Sequence, residues 1–455
     1  MTELALPPGP PLPPGLQAAL LMKFWPRLIE ACRRRYGKVF TLRIASMGTV
    51  VYLADPADIK TVFSGDPTVY HAGEANSMLT GLLGASSVLV IDEDEHRRRR
   101  RMMLAPFGRE AVARQTDVIA RVAADNIEDW PLRRRFAVAP KMAEITLEVI
   151  LRTVIGASDP DRLTALRRVM PKLLSVGTWE SLAISTPGLQ RLTPWRPFAE
   201  RLHAADELLY AEIAERRADP ALESRTDALA MMIRTGEMSD EQLRDQLMTL
   251  LVAGHDTTAT ALSWALERLT RHPDLLAKAT AAARGGDDAY LDAVCKEILR
   301  IRPVVFDVGR VLTEPVEIGG YRLPAGVMVA PGIGLVHADG DRYPDPETFD
   351  PDRMLDAQLG PTTWLPFGGG NRRCLGANFA LVEMAIVLRE VLRRVDLDTT
   401  TAPGERRRIK SVILMPHRGA RIRVRAARRG DVPGMPACGG VSAVARHRSR
   451  RAPRL

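Results

Sequence analysis

The chain has few cysteines and no long apolar run. Its 455 residues contain four cysteines, Cys32, Cys295, Cys374 and Cys438, widely separated and forming no CxxC pair. That spacing argues against a disulfide framework, a zinc ribbon or an iron–sulfur cluster, and it fits a reducing cytoplasm. No apolar stretch reaches the roughly 18 to 20 residues that a membrane span needs. The longest early candidate, "LQAALLMKFW", is too short and is interrupted by Lys23. The charged-then-apolar layout of a secretory leader is also missing, as is any internal repeat. No transmembrane anchor is therefore expected.

What is present is globular in composition, with 46% hydrophobic and 26% charged residues. The length permits two or three domains or one large one, and suffices to bury a cofactor. A net charge of +9 would suit an acidic partner, but sign alone selects none, and nucleic acid is not among the expected partners. The positive charge gathers in "HRRRRR" (His96 to Arg101), in "ERRRIK" near Arg407 and in the tail "ARHRSRRAPRL". The tail, rich in Gly, Pro, Ala and Arg without apolar periodicity, reads as a disordered extension.

Along the chain, "LPPGPPLPPG" reads as a stiff, extended leading segment. "VFTLRIASMGTVVYLAD" alternates around a Ser-Met-Gly turn and predicts a hairpin. From there to about residue 300 the pattern is helical, as in "REAVARQTDVIARVAADNIEDW" and "AEITLEVILRTVIG". A helix of about 30 residues starts near Ser239, which stands in capping-box spacing with Gln242. The last third mixes short strands with turns at Gly319-Gly320 and Ala325-Gly326. The expected fold class is mainly α with small β-sheets at the margins.

Two stretches resist a purely structural reading. In the long helix, "LLVAGHDTTATAL" places Gly254, Asp256, Thr257 and Thr258 where an apolar buried helix should be continuous. Small residues at Ala253 and Gly254 would let a flat ligand approach the backbone, and a Thr hydroxyl bonding back would loosen the helix. A packing kink would explain the same residues. The second stretch is "PFGGGNRRCLGANFA", where a lone cysteine sits between a Gly/Arg turn and an apolar helix. It fits Phe-x-x-Gly-x-Arg-x-Cys-x-Gly through Phe367, Gly370, Arg372, Cys374 and Gly376. On this motif the sequence resembles the cytochrome P450 family.

The resemblance implies a haem b cofactor (iron protoporphyrin IX) with Cys374 as iron ligand, buried between a long distal helix and a proximal cysteine loop. A thiolate ligand pushes electron density toward O–O cleavage. Flanking glycines leave backbone N–H groups beside the sulfur, and Phe367 shields it. Arg372 would face a propionate. The resemblance extends over roughly residues 20 to 425. "AGHDTT" matches the distal pattern, so Asp256 and Thr257 look like the pair that relays protons to oxygen. Glu297 and Arg300 of "KEILR", with Arg353 of "FDPDRM", match a structural triad behind the thiolate. His96 and Arg100, four apart on one helical face, and Arg310 match propionate contacts. Asp94 departs from the glycine usual there, which leaves the turn open.

The implied function is a monooxygenase that inserts one oxygen atom from O₂ into a lipophilic organic substrate. A haem sensor without turnover is the alternative, and the Asp256-Thr257 pair argues against it, as against a peroxygenase or isomerase. No GxGxxG-type flavin or nicotinamide fingerprint follows the haem region, so a separate ferredoxin or flavodoxin with its reductase is implied. Part of the run Arg97, Arg98, Arg99 and Arg101, with Arg373, would make a basic docking patch. Apolar residues Val304, Val305, Phe306, Ile413, Leu414 and Met415 fall in segments that contact substrate in the family. Sterol, fatty acid, terpene and polyketide stay equally open. The expected organisation is a leading segment 1–19, one domain 20–425 and a basic tail 426–455.

Overall fold

The computed structural model describes residues 4–174 and 178–428. Cys438 and the tail from residue 429, together with 175–177 in the mid-chain helices, lie outside the described residues. Alternation in residues 39–55 produces β1 (Val39–Ile44) and β2 (Gly48–Leu53), paired antiparallel. Their period of two sends Val51 and Leu53 into one apolar cluster, and Val50 and Tyr52 into another across the sheet. β2 takes a parallel partner, β8 (Met328–Pro331), which pairs with β5 (Arg310–Leu312), and β5 with β3 (Tyr70–His71). A second sheet has the order β4 (Arg135–Ala137), β12 (Arg421–Ala427), β9 (Val395–Leu397). Two hairpins complete the strands: β6 (Val316–Ile318) with β7 (Tyr321–Leu323), and β10 (Arg407–Lys410) with β11 (Ile413–Pro416).

The leading segment is extended but docked. The carbonyls of Pro7 and Pro8 accept from the Thr41 hydroxyl and N–H at 2.8 and 2.9 Å. An extended proline-rich backbone has no internal hydrogen bonds, so its carbonyls are available to strand β1. The first helix, Pro14–Tyr36, begins earlier than the expected boundary at residue 19, because proline is well suited to a helix's first turn. Its kink at Phe24 lies two residues before Pro26. Elsewhere the periodic stretch 109–130 divides into Arg109–Ala113 and Thr116–Glu128. The helix Ala139–Val149 runs on as a π-helical turn, Ile150–Ile155, ended by left-handed Gly156.

The long helix is Asp240–Leu269. Ser239 caps it reciprocally: its hydroxyl accepts from Gln242 N–H at 3.2 Å, and the Gln242 side chain accepts from Ser239 N–H at 3.1 Å. It packs on Ala139–Val149, on Asp288–Ile301 and on the helix that follows the cysteine, Ala377–Arg394. Fully buried Trp264 donates its indole N–H to the Leu414 carbonyl at 2.9 Å, which pins the β10–β11 hairpin to the helix.

One core residue makes stability depend on pH. Glu383, buried on Ala377–Arg394, has an Oε1 without a hydrogen-bond partner among the described residues, and burial pushes its pKa well above the usual glutamate value. A carboxyl raised on folding contributes stability that is complete below the unfolded pKa and is lost as pH rises through the folded value. Glu383→Gln is therefore expected to flatten the decline of the unfolding temperature toward alkaline pH. A slope equal to the parent's in thermal scans would assign that decline to other groups.

Candidate active site

The cysteine loop is fixed mainly by its backbone. Gly368 and Gly370 hold φ of 63° and 64°, in the left-handed region. A Cβ on Gly369 would lie 2.2 Å from the Phe63 ring, and one on Gly370 would lie 1.9 Å from the Phe63 carbonyl oxygen. Side chains at either position would push the loop away from Phe63. The loop closes where Cys374 N–H donates to the Phe367 carbonyl at 2.9 Å. The Phe367 ring is half-buried, edge-on to Trp364 at 5.9 Å between centroids. At Gly376 a Cβ would meet only the Phe107 ring, at an ordinary 3.9 Å, so protein packing does not demand glycine there.

Cys374 is exposed, yet burial dominates its titration. Burial raises the thiol pKa, and the Gly376 N–H and the guanidinium groups of Arg100 and Arg373 draw it back down. Cys32 and Cys295 are buried thiols, both raised by burial.

On the long helix, Ala253 is exposed and Asp256 and Thr257 are half-buried. The Thr257 hydroxyl donates to the Ala253 carbonyl at 2.7 Å, the back-bond expected of a threonine here, and the helix stays continuous. Gly254, one residue on and so rotated by about 100°, faces elsewhere. A Cβ there would sit 2.5 Å from Ile150 Cδ1, so its smallness serves close packing against the π-helical turn. The carboxylate of Asp256 accepts from Lys410 Nζ at 2.7 Å and lies 3.8 Å from His255 Nε2. Buried His255 contacts the Thr146 hydroxyl through Nδ1 at 3.1 Å, and burial lowers its pKa, so the ring is neutral.

A cationic set surrounds His96. The ring is 2% exposed, its Nδ1 has no hydrogen-bond partner among the described residues, and its pKa is lowered to about 3. Burial is the main cause, followed by the positive charges of Arg372 and Arg100, with Arg310 also contributing. Among the described residues the Arg310 guanidinium donates only to the Gly309 carbonyl, at 2.7 Å, and it lies over the Phe63 ring at 5.8 Å. Burial lowers Arg310 and Arg372 to about 10 each. Arg100 donates to the Arg373 carbonyl at 2.6 Å. One carboxylate, Asp92, faces this set, and it already accepts from Gly73 N–H, Glu74 N–H and Arg372. Three guanidinium groups around a partnerless imidazole leave an excess of buried positive charge, and a planar ligand with two carboxylates fits it.

The triad residues meet. Arg300 donates through Nε and Nη2 to the two Glu297 oxygens, both at 2.7 Å, and Arg353 Nε lies 3.3 Å from Glu297 Oε1. Arg300 also donates to the carbonyls of His337, Pro346 and Thr348. His337 is buried and neutral, with a pKa lowered to about 3, and its Nε2 accepts from Leu365 N–H at 2.8 Å. That bond reaches the strand of chain entering the cysteine loop.

Several placements differ from the sequence reading. Arg99 is buried with its guanidinium 3.4 Å from Glu95, Arg98 pairs with Glu237 at 2.6 Å, and Arg97 pairs with Asp94. Arg97 and Arg98 stay exposed despite these pairs, as do Arg101 and Arg373, whereas Arg99 is buried and so lies outside any exposed basic surface. The left-handed residue at the turn before His96 is Glu93, with φ 52°, and Asp94 follows it on the exposed first turn. Phe306 and Leu414 are buried in the packed N-terminal cluster, whereas Val305 and Met415 stay half-buried. Two polar residues were missed. Lys410 had only a basic run to mark it. Asp307 interrupts the apolar "PVVFDV", accepts from Trp25 Nε1 at 3.0 Å, and is pushed up to about 7 by burial.

A mainly helical fold with a cysteine held on a glycine loop, and with Arg100, Arg310 and Arg372 gathered about buried His96, is that of a haem-binding oxidoreductase. The chain belongs to the cytochrome P450 family, whose sequence profile matches residues 7–424. It is 66% identical over 438 residues to a Mycobacterium tuberculosis protein named cytochrome P450 135B1, covering 94% of this chain and 93% of the relative. Cytochrome P450 135A1 of the same species is 41% identical over 432 residues, covering 93% of this chain and 96% of the relative. Among solved structures, retinoic acid-bound cyanobacterial CYP120A1 superposes with a TM-score of 0.80, covering 94% of this chain and 100% of that one at 24% identity, a likeness of fold. Proteins of the family bind haem b and are monooxygenases, so this chain is an oxidoreductase of that class. No helix among the described residues is long and apolar enough to cross a membrane.

Proposed function

We propose that this enzyme holds haem b through Cys374 and inserts one oxygen atom from O₂ into a lipophilic substrate, with electrons from a separate ferredoxin or flavodoxin and its reductase. When bound, the haem supplies oxygen activation through its thiolate-ligated iron. Arg100, Arg310 and Arg372 would hold the propionates, with the neutral ring of His96 beside them. Exposed Ala253 would leave room for a flat cofactor, and the Gly376 N–H would donate to the sulfur. Residues 20–425 act as a single haem-binding domain with the leading segment docked on it, in a reducing cytoplasm that suits an exposed thiol.

The observation that supports the reading is Thr257, half-buried on the long helix with its hydroxyl donating back to the Ala253 carbonyl at 2.7 Å, next in sequence to the half-buried carboxylate of Asp256. In this reading Thr257 holds the proton delivered to oxygen and Asp256 resupplies it. Thr257→Ala is expected to keep haem and substrate binding while product per electron pair falls by about tenfold and hydrogen peroxide rises. An unchanged ratio of product to electrons would assign the relay to other groups. The half-buried Val305 and Met415 and the exposed Met78 favour an apolar substrate. Ferric-haem spectral shifts across sterols, fatty acids, terpenes and polyketides would identify its class.

Lys410 positions the acid. Its ion pair with Asp256 at 2.7 Å ties the relay to the β10–β11 hairpin. Lys410→Met is expected to slow turnover by about tenfold with substrate affinity unchanged, and Lys410→Arg to restore most of it. Equal turnover in Lys410→Met and the parent would reduce the pair to a surface contact. An acidic electron donor docks at Arg101 and Arg373 through steering that salt weakens.

A further inference from the structure

A cleft of about 440 Å³ opens where the C-terminal end of the long helix meets the β4-β12-β9 sheet, built from none of the residues around Cys374. Arg135, Arg271, Arg418, Arg421 and Arg423 line it. Asp398 is the one carboxylate in the lining. Alternation along β12 buries Ile422 and Val424 and sends Arg421 and Arg423 to the exposed face. The antiparallel register then sets Arg135 of β4 directly opposite Arg423. Like charges in that relation repel and destabilise the sheet. Arg423 is relieved by Asp398 at 3.2 Å, while the side chains of Arg135 and Arg421 have no hydrogen-bond or ion-pair partner among the described residues.

Arg271 is the buried member, its side chain 8% exposed. Nη1 donates to the Glu267 carbonyl at 2.8 Å and Nη2 to the Pro403 carbonyl at 3.4 Å, but Nε is buried with no acceptor among the described residues. Such a donor costs free energy unless something accepts from it. The acids beneath are already engaged. Glu267 pairs with Arg268 and Arg271 and accepts from Glu405 N–H, and Glu405 accepts from the N–H groups of Arg418, Ala420 and Arg421. Even with these two counted beside Asp398, the five lining guanidinium groups are in excess. The negative end of the long helix is covered too, because the Thr270 carbonyl accepts from Thr400 N–H at 2.8 Å.

We propose that this cleft binds a small molecule or headgroup carrying two or more phosphates. Guanidinium forks match phosphate oxygens in pairs, and the hydroxyls of Thr399 and Thr400 add donors at the rim. Ala402 and Ile422 are the only apolar lining residues, too few for a lipophilic substrate, so the cleft is distinct from the oxygenation site. The ligand reaches the protein either free in solution or as the headgroup of a phosphorylated lipid.

Calorimetric titration of the full-length, haem-loaded protein with sodium pyrophosphate, at constant ionic strength set by chloride, tests this. Saturable one-to-one binding is expected, weakened about tenfold or more in the double variant Arg135→Ala/Arg421→Ala. Both side chains are exposed, so the fold should survive, and an unchanged spectrum of the reduced carbon monoxide complex checks it. Arg109→Ala/Arg114→Ala, two exposed arginines outside the cleft lining, should bind as the parent does. A parallel arm sediments the protein with phosphatidylcholine vesicles containing phosphatidylinositol bisphosphate. Capture by vesicles alone, lost in the cleft variant, supports the headgroup source. Absence of binding in both arms, equal loss in the control pair, or affinity retained by the cleft variant would each overturn the proposal.

Discussion

Replacing Cys374 by alanine is expected to abolish the strongly red-shifted absorption of the reduced carbon monoxide complex while leaving the fold in place. The loop does not depend on the sulfur. Its closure is the Cys374 N–H to Phe367 carbonyl bond, and its turns are the left-handed Gly368 and Gly370, all of which alanine preserves. No other thiol among the described residues can take over. Cys32 and Cys295 lie inside the helices Pro14–Tyr36 and Asp288–Ile301, buried in apolar clusters. The spectrum thus reads ligation and little else. A band that survived in Cys374→Ala would sink the assignment of the iron ligand.

Glu297→Ala is expected to cost about 3–5 kcal/mol of stability, the usual result of removing one partner of a buried ion pair. Arg300, 1% exposed, would keep its charge with only carbonyl acceptors around it, and Arg353 would lose its anchor. The damage should travel. Arg300 holds the His337 carbonyl and His337 holds Leu365 N–H, two residues before Phe367, so the cysteine loop loses its backing. Denaturant melts of apo- and holoprotein should show the loss in both, with haem retention falling in parallel. A change below about 1 kcal/mol, the range of an exposed pair, would contradict the burial argument.

Legibility in the sequence followed the range of the interactions. The capping box of Ser239 and Gln242, the turn at Gly319-Gly320 and the alternation of β1 and β2 are local, and the structure has them where the pattern puts them. Arg99 had a local signal that was not used: His96, Arg99 and Met103, spaced three and four apart, are the buried face of their helix. Asp256 meeting Lys410, 154 residues later, had none, because no periodicity joins a helix to a hairpin in another part of the chain. Asp307 was hidden by its apolar neighbours, and its partners, Trp25 and Tyr52, come from the N-terminal layer. The proline-rich start concealed a helix because proline is a poor interior residue but a good first one.

The parallel pairing of β2 with β8 has a consequence for the order in which the protein is made. Val50 to Leu53 leave the ribosome well before their partners, Met328 to Pro331, which follow only after the helical segments between them. The first hairpin must wait with one edge open while the helical core is synthesised, and contacts this distant close slowly because the intervening chain must already be ordered. During that interval the β2 edge, with Val50, Val51 and Leu53, is the surface a chaperone or a second nascent chain would find.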